Sequence, residues 1–199
     1  MNVGLFPAYE ITGVVLAGGK SQRFGQDKSL YPFKGKTLVE YAISALQPWC
    51  SRVLISTNNP HAYAFTGMPT IADLYPNCGP MSGIHSALAH ASGEVVALVG
   101  CDMPYLDGRI FPFLIENMSG KQASAPLHFG FCETLCLVLR KDTLQAAEQA
   151  ILEKKYKVLE FLQMIETGYH EVTLQEFFKP GMFHNINTQE DLGFGPKEK

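Results

Sequence analysis

The chain has 199 residues, 46% of them apolar and 18% charged, with a net charge of −3. That length and composition suit one globular domain with a sizeable core and exclude a disordered chain or a coiled coil. The slightly acidic balance argues against nucleic acid as a partner, and with no run of about 18 apolar residues no membrane span is expected. The opening MNVGLFPAYE has neither a basic region nor a long apolar stretch, so no secretory signal is expected. Cys50, Cys78, Cys101, Cys132 and Cys136 are odd in number and form no CxxC pair. Free thiols in a reducing cytoplasm are therefore expected, and the six histidines show no zinc-site spacing.

In chain order, Thr12 to Ala17 is an apolar, β-branched run that reads as a buried strand. GKTLVEYAISAL follows as a helix, with Thr37 and Glu40 at capping-box spacing and Leu38, Val39, Ala42, Ile43 and Leu46 on one face. RVLIST is a second strand ending near Asn58, and PTIAD a short third one. GPMSGIHSALAHA repeats Ile84, Ala87, Leu88 and Ala91 at helical spacing. EVVALVGCD is apolar throughout, as expected for a strand covered on both faces. Further on, TLCLVLR reads as a strand, and KDTLQAAEQAILEKK and KVLEFLQMI as helices. In the closing FHNINTQEDL, Thr188 and Asp191 are spaced as a helix start. This alternation gives an α/β fold with a mainly parallel sheet, whose functional groups should lie beyond the carboxyl ends of the strands. The strand order is not readable from the sequence.

The stretch after the first strand, VVLAGGKSQRFGQDKSL, places Lys20, Arg23 and Lys28 around two glycines. It fails the P-loop pattern, because Val14 stands where the leading glycine belongs, and the GxGxxG pattern, because Gly18 and Gly19 are adjacent. The physics of those motifs still applies. Glycines let backbone N–H groups approach a phosphate, Arg23 can fork onto its oxygens, and Lys28 can act as a mobile point charge. On residues alone, a solvated basic loop explains the stretch equally well.

The exact wording adds more. LAGGKSQRFGQDK resembles L-A-G-G-x-S-x-R-M-G-x-D-K of the molybdenum cofactor guanylyltransferase family, with Phe24 in place of methionine. GPMSGI (79–84), CDMPYL (101–106) and FHNINTQEDL (183–192) are similar to that family's G-P-L-A-G-I, C-D-M-P-F-L and F-x-N-I-N-T-P-E-D-L, in the same order. Gln189 departs from the family proline, and the likeness is thin between about residues 107 and 180.

The resemblance implies a Rossmann-like three-layer nucleotidyltransferase fold. It also implies transfer of GMP from GTP to molybdenum-bound molybdopterin, with pyrophosphate released and magnesium (Mg2+) required. It places GTP beside Leu16, Ala17, Gly18 and Gly19, makes Arg23 and Lys28 the charge-stabilising pair, and makes Asp102 the metal ligand. Asn187 becomes a candidate second ligand, while Asn58, Asp73 and Gly79 take nucleotide-contacting positions. Residues from about 10 to 106 then form the nucleotide-binding part and about 107 to 199 the acceptor-binding part, where Arg140 and Lys141 are candidates. Maturation proteins of molybdoenzymes are a candidate class of partner. Asp27 reads as solvated or as orienting Lys28. His85, His90 and Cys101 read as packing, and EKKYK at 153–157 as a solvated helix end.

Three rivals stay open. A cytidylyltransferase of the same fold usually reads L-A-A-G where this chain has LAGG, and lacks the G-P-x-x-G-I segment. A sugar-phosphate nucleotidyltransferase carries a longer glycine loop. A nucleotide-binding accessory protein would have lost catalysis, against which Arg23, Lys28, Asp102 and Asn187 argue.

Overall fold

The computed structural model describes residues 10–18, 27–187 and 191. Strand β1 (Ile11–Leu16) is followed by a two-stranded antiparallel flap, β2 (Pro32–Phe33) and β3 (Lys36–Thr37), and by helix α1 (Leu38–Leu46). Then come β4 (Arg52–Ser56), β5 (Thr70–Ile71), α2 (Pro80–His90) and β6 (Val95–Gly100). The second half adds α3 (Ile110–Glu116), β7 (Ala123–His128), β8 (Phe131–Cys132), β9 (Cys136–Arg140), α4 (Leu144–Leu152), α5 (Val158–Met164) and β10 (Thr167–Glu171).

One sheet runs in the order β10-β7-β9-β6-β1-β4-β5, with β8 paired to β7. The pairs β6–β1, β1–β4, β4–β5 and β10–β7 are parallel. Strand β9 is inserted antiparallel between β6 and β7. The α/β expectation holds, and strands from the second half extend the same sheet.

Alternation along the strands divides the core into two layers. Val15, Ala97, Val99 and Val138 face α1 and α3, meeting Val39, Leu46, Phe111 and Leu114. Val14, Leu54, Val96, Leu98, Leu137 and Leu139 face α2, α4 and α5, meeting Met81, Ile84, Leu88, Ala150 and Phe161. Every residue of β6 is buried, so truncating Leu98 to alanine would cost about 2–5 kcal/mol. Helix α1 begins where its sequence says it should: the Glu40 carboxylate reaches back 2.7 Å to accept from the Thr37 backbone N–H and from its hydroxyl. No helix among the described residues is long and apolar enough to cross a membrane.

Candidate active site

Parallel strands deliver their carboxyl ends to one edge of the sheet, and four of the expected site positions follow those ends. Gly18 follows β1, Asn58 follows β4, Asp73 follows β5 and Asp102 follows β6. The loops are tied together by backbone bonds. Ala17 N–H donates to the Ser56 carbonyl (3.0 Å), Thr57 N–H to that of Ile71 (2.8 Å) and Cys101 N–H to that of Leu16 (3.3 Å).

Lys28 lies on a short 3-10 turn, Lys28–Leu30, whose N-cap is Asp27; Asp27 Oδ1 accepts from Ser29 N–H at 3.1 Å. The expectation of a solvated Asp27 gives way to the other one, a carboxylate anchoring the Lys28 turn. Lys28 Nζ donates to Asp102 Oδ2 at 3.0 Å and to Asn187 Oδ1 at 3.1 Å. Side-chain exposures of 17% and 15% put the Lys28–Asp102 pair largely out of water, where charge pairing is stronger than at the surface. Asn187 is brought there by the terminal segment, because Ile186 N–H donates to the Asp102 carbonyl at 2.9 Å. Three positions from distant parts of the chain therefore converge on one ammonium.

Asp102 Oδ1 is buried and has no hydrogen-bond partner among the described residues, which is costly for a carboxylate oxygen unless a donor or cation arrives. A second carboxylate, Glu133, lies close enough to sense it. Burial first, and then the Asp102 charge, push Glu133 up to about 7. No cluster of three or more His, Cys, Asp or Glu side chains suited to a metal occurs among the described residues. Magnesium accepts one or two protein oxygens and completes its shell with phosphates and water, so Asp102 Oδ1 with the Asn187 amide oxygen is a chemically suitable donor set.

Asn58 and Asp73 form a reciprocal pair. Asn58 Nδ2 donates to Asp73 Oδ2 (2.7 Å), and Asp73 N–H donates to Asn58 Oδ1 (3.0 Å). That holds a partly exposed carboxylate in a defined orientation beside the ends of β4 and β5. Gly79 is the N-cap of α2 with φ 61° and ψ −143°, a backbone conformation that needs glycine. Gly83, in the same GPMSGI segment, lets α2 approach the sheet: a Cβ there would fall 2.8 Å from Leu16 Cδ2. Gly18 is different. Among the described residues, a Cβ added to it would meet only the Ser56 carbonyl oxygen at 3.8 Å, so no described neighbour demands glycine there.

The matching family model is the MobA-like NTP transferase domain, over residues 13–168. The chain belongs to this family. It is 31% identical to a probable molybdenum cofactor guanylyltransferase of Carboxydothermus hydrogenoformans, over 91% of this chain and 92% of that one. It is 30% identical to the molybdenum cofactor guanylyltransferase of Serratia proteamaculans, over 96% of each. The crystal structure of molybdopterin-guanine dinucleotide biosynthesis protein A from Archaeoglobus fulgidus is similar at TM-score 0.77 and 27% identity, covering 92% of this chain and 95% of that one.

Within this MobA-like frame, the site expectations on Gly19 and Arg23 lie outside the described residues, as does Thr188. Arg140 and Lys141 are not brought to the site. Because β9 runs antiparallel to β6, Arg140 pairs with Val95 at the opposite edge of the sheet, and Lys141 Nζ caps the Ala91 carbonyl at 2.6 Å. His85 packs edge-on against Tyr75 (4.8 Å between ring centres) and burial lowers it, as suits a packing residue. Burial pushes the Cys101 thiol up to about 12, so it is no nucleophile at neutral pH. The sequence reading missed Glu133; a carboxylate just before the apolar strand β9 was its only signal.

Proposed function

We propose that this chain transfers GMP from GTP to molybdenum-bound molybdopterin, releasing pyrophosphate and forming the guanine dinucleotide cofactor. The observation that carries the reading is the convergence of Lys28, Asp102 and Asn187 at the carboxyl edge of the sheet. The names and lengthwise coverage of the relatives support the guanylyl and molybdopterin assignments.

An oxygen of the acceptor's terminal phosphate attacks the α-phosphorus of GTP. A new P–O bond forms, the bond to the β-phosphate breaks, and pyrophosphate leaves. The acceptor oxygen is already anionic, so no strong general base is needed, and the protein's contribution is alignment and charge neutralisation. Lys28 supplies a mobile positive charge for the triphosphate, with Arg23 as its partner from the loop. Backbone at Leu16, Ala17, Gly18 and Gly79 would line the nucleotide, with Gly19 assigned beside it by the resemblance alone. The Asp73 carboxylate, fixed by Asn58, can accept from guanine N1–H and the 2-amino group together.

Asp102 and Asn187 would hold magnesium, and Asp102 Oδ1, without a partner among the described residues, supports that fit. When bound, the ion would neutralise phosphate charge and orient the phosphates. A cytoplasmic setting suits the five free cysteines, and molybdoenzyme maturation proteins are the expected recipients of the product.

The test is turnover of GTP, CTP and UTP with molybdenum-bound molybdopterin as acceptor, following pyrophosphate and dinucleotide product. GTP-selective transfer is expected. Preference for CTP would make the protein a cytidylyltransferase, and GTP binding without pyrophosphate release would make it an accessory protein.

A further inference from the structure

Tyr63 lies on the 3-10 helix Pro60–Thr66 that follows β4 and is fully buried, its ring part of the core layer facing α1. A phenylalanine would fill the same space. The hydroxyl, however, touches three oxygens, and all three belong to the segment of chain around the candidate phosphate loop. It is 3.1 Å from the Ala17 carbonyl, 2.6 Å from Asp27 Oδ2 and 2.5 Å from Ser29 Oγ. Ser29 Oγ in turn donates to Asp27 Oδ1 at 2.8 Å.

These partners have a definite placement. Ala17 immediately precedes Gly18, the last described residue before segment 19–26; Asp27 immediately follows that segment and immediately precedes Lys28. One buried hydroxyl therefore holds both feet of the segment that carries Arg23. The phenolic proton can go to Asp27 Oδ2 or to the Ala17 carbonyl, and the shorter, charge-assisted contact favours the carboxylate. Burial, and then the bond to Asp27, raise the Tyr63 hydroxyl well above its ordinary range, so it stays protonated and able to donate.

Asp27 also caps the turn bearing Lys28, and Lys28 reaches Asp102 and Asn187. The connection from Tyr63 to Lys28 thus has one intermediate, Asp27. We infer that Tyr63 is a positioning residue for the transfer reaction: by clamping Ala17 and Asp27 together it fixes the direction in which Lys28 is presented to the triphosphate. The inference rests on the proposed role of Lys28. A preset ammonium needs no reorganisation as charge develops, and that advantage appears in the chemical step more than in nucleotide binding.

The experiment is a double-mutant cycle between Tyr63→Phe and Lys28→Ala, read as kcat and KM for GTP with molybdenum-bound molybdopterin saturating, beside thermal melts. Tyr63→Phe is expected to lower kcat by at least about tenfold with little change in KM, and to cost less than about threefold more when Lys28 is already alanine. Asp27→Asn, which keeps the size of the side chain but weakens the acceptor, is expected to give the same pattern and serves if Tyr63→Phe does not fold. A kcat for Tyr63→Phe within about threefold of wild type, or a full tenfold loss persisting in the Lys28→Ala background, would overturn the inference. If instead Lys28→Ala alone leaves turnover intact, the reading of Lys28 fails before the clamp is at issue.

Discussion

Lys28 Nζ sits 3.0 Å from Asp102 Oδ2 although the two residues are 74 positions apart in the chain. The pair neutralises a buried-edge carboxylate that has Glu133 as a second negative neighbour. On the proposed reading it also holds a mobile cation ready for the triphosphate. On nucleotide binding the ammonium can exchange a carboxylate for phosphate oxygens over a short distance, leaving Asp102 to a metal ion.

Lys28→Ala is therefore expected to damage catalysis more than folding. Losing a charge-assisted phosphate contact should lower kcat/KM for GTP by about 2–4 kcal/mol in transition-state terms. Stability should fall by about 1–2 kcal/mol, because Asp102 loses a partner in a half-screened setting. Steady-state kinetics beside a denaturant melt separates the two; an unchanged kcat/KM would make Lys28 a structural partner of Asp102 only.

Gly18→Ala tests what the loop glycine is for. Among the described residues the added methyl meets nothing closer than 3.8 Å, so melting should match wild type. Activity should not. The similar cytidylyltransferases carry alanine in this position, and a purine needs more room than a pyrimidine. GTP kcat/KM is expected to fall by at least about tenfold, roughly 1.4 kcal/mol, with a smaller loss for CTP. An unaltered GTP-to-CTP ratio would move base selection to Asp73 and the GPMSGI segment.

Glu133 should leave a signature in the pH dependence of stability. Its carboxyl rises from about 4.5 to about 7 on folding, through burial and then the Asp102 charge. A group raised in the folded state contributes stability that is complete below its unfolded value and is lost as pH climbs through the folded one. Without divalent metal, Glu133's own contribution should fall between about pH 4.5 and 8, by roughly 1–2 kcal/mol once solvent screening of a half-buried group is counted, against the opposite trend of His85, His128 and His170, which burial lowers, so it is read as the difference between wild type and Glu133→Gln. Glu133→Gln should flatten that slope and exceed wild type at pH 8.5; identical pH profiles for the two proteins would contradict the account of Glu133.

The first half was legible because its signals are local. The β1 run, the Thr37–Glu40 capping box and the fully apolar β6 each announce themselves within a few residues, and Asp102 follows from a carboxylate ending a buried strand. Apart from β9, read from TLCLVLR, the second half hides its strands. Strand β7 begins Ala-Ser-Ala-Pro, with little bulk to show a pattern, and β10 lies at the sheet edge with Tyr169 and Glu171 exposed. The direction of β9 depends on pairing between distant segments, so the placing of Arg140 far from the site could not be read in advance. Tyr63 and Glu133 were missed for the same reason: a single residue carries no spacing, and their partners Ala17, Asp27 and Asp102 are more than 30 positions away.

The most direct test of the central claim, that transfer takes place where Asp102, Lys28 and Asn187 meet, is the activity of Asp102→Asn across a magnesium titration, beside a thermal melt. Asparagine keeps the shape and an acceptor for Lys28 but removes the charge a hard cation requires. The account predicts that GMP transfer is lost at every magnesium concentration while the melting temperature stays close to wild type. Near-normal turnover at ordinary magnesium would contradict it.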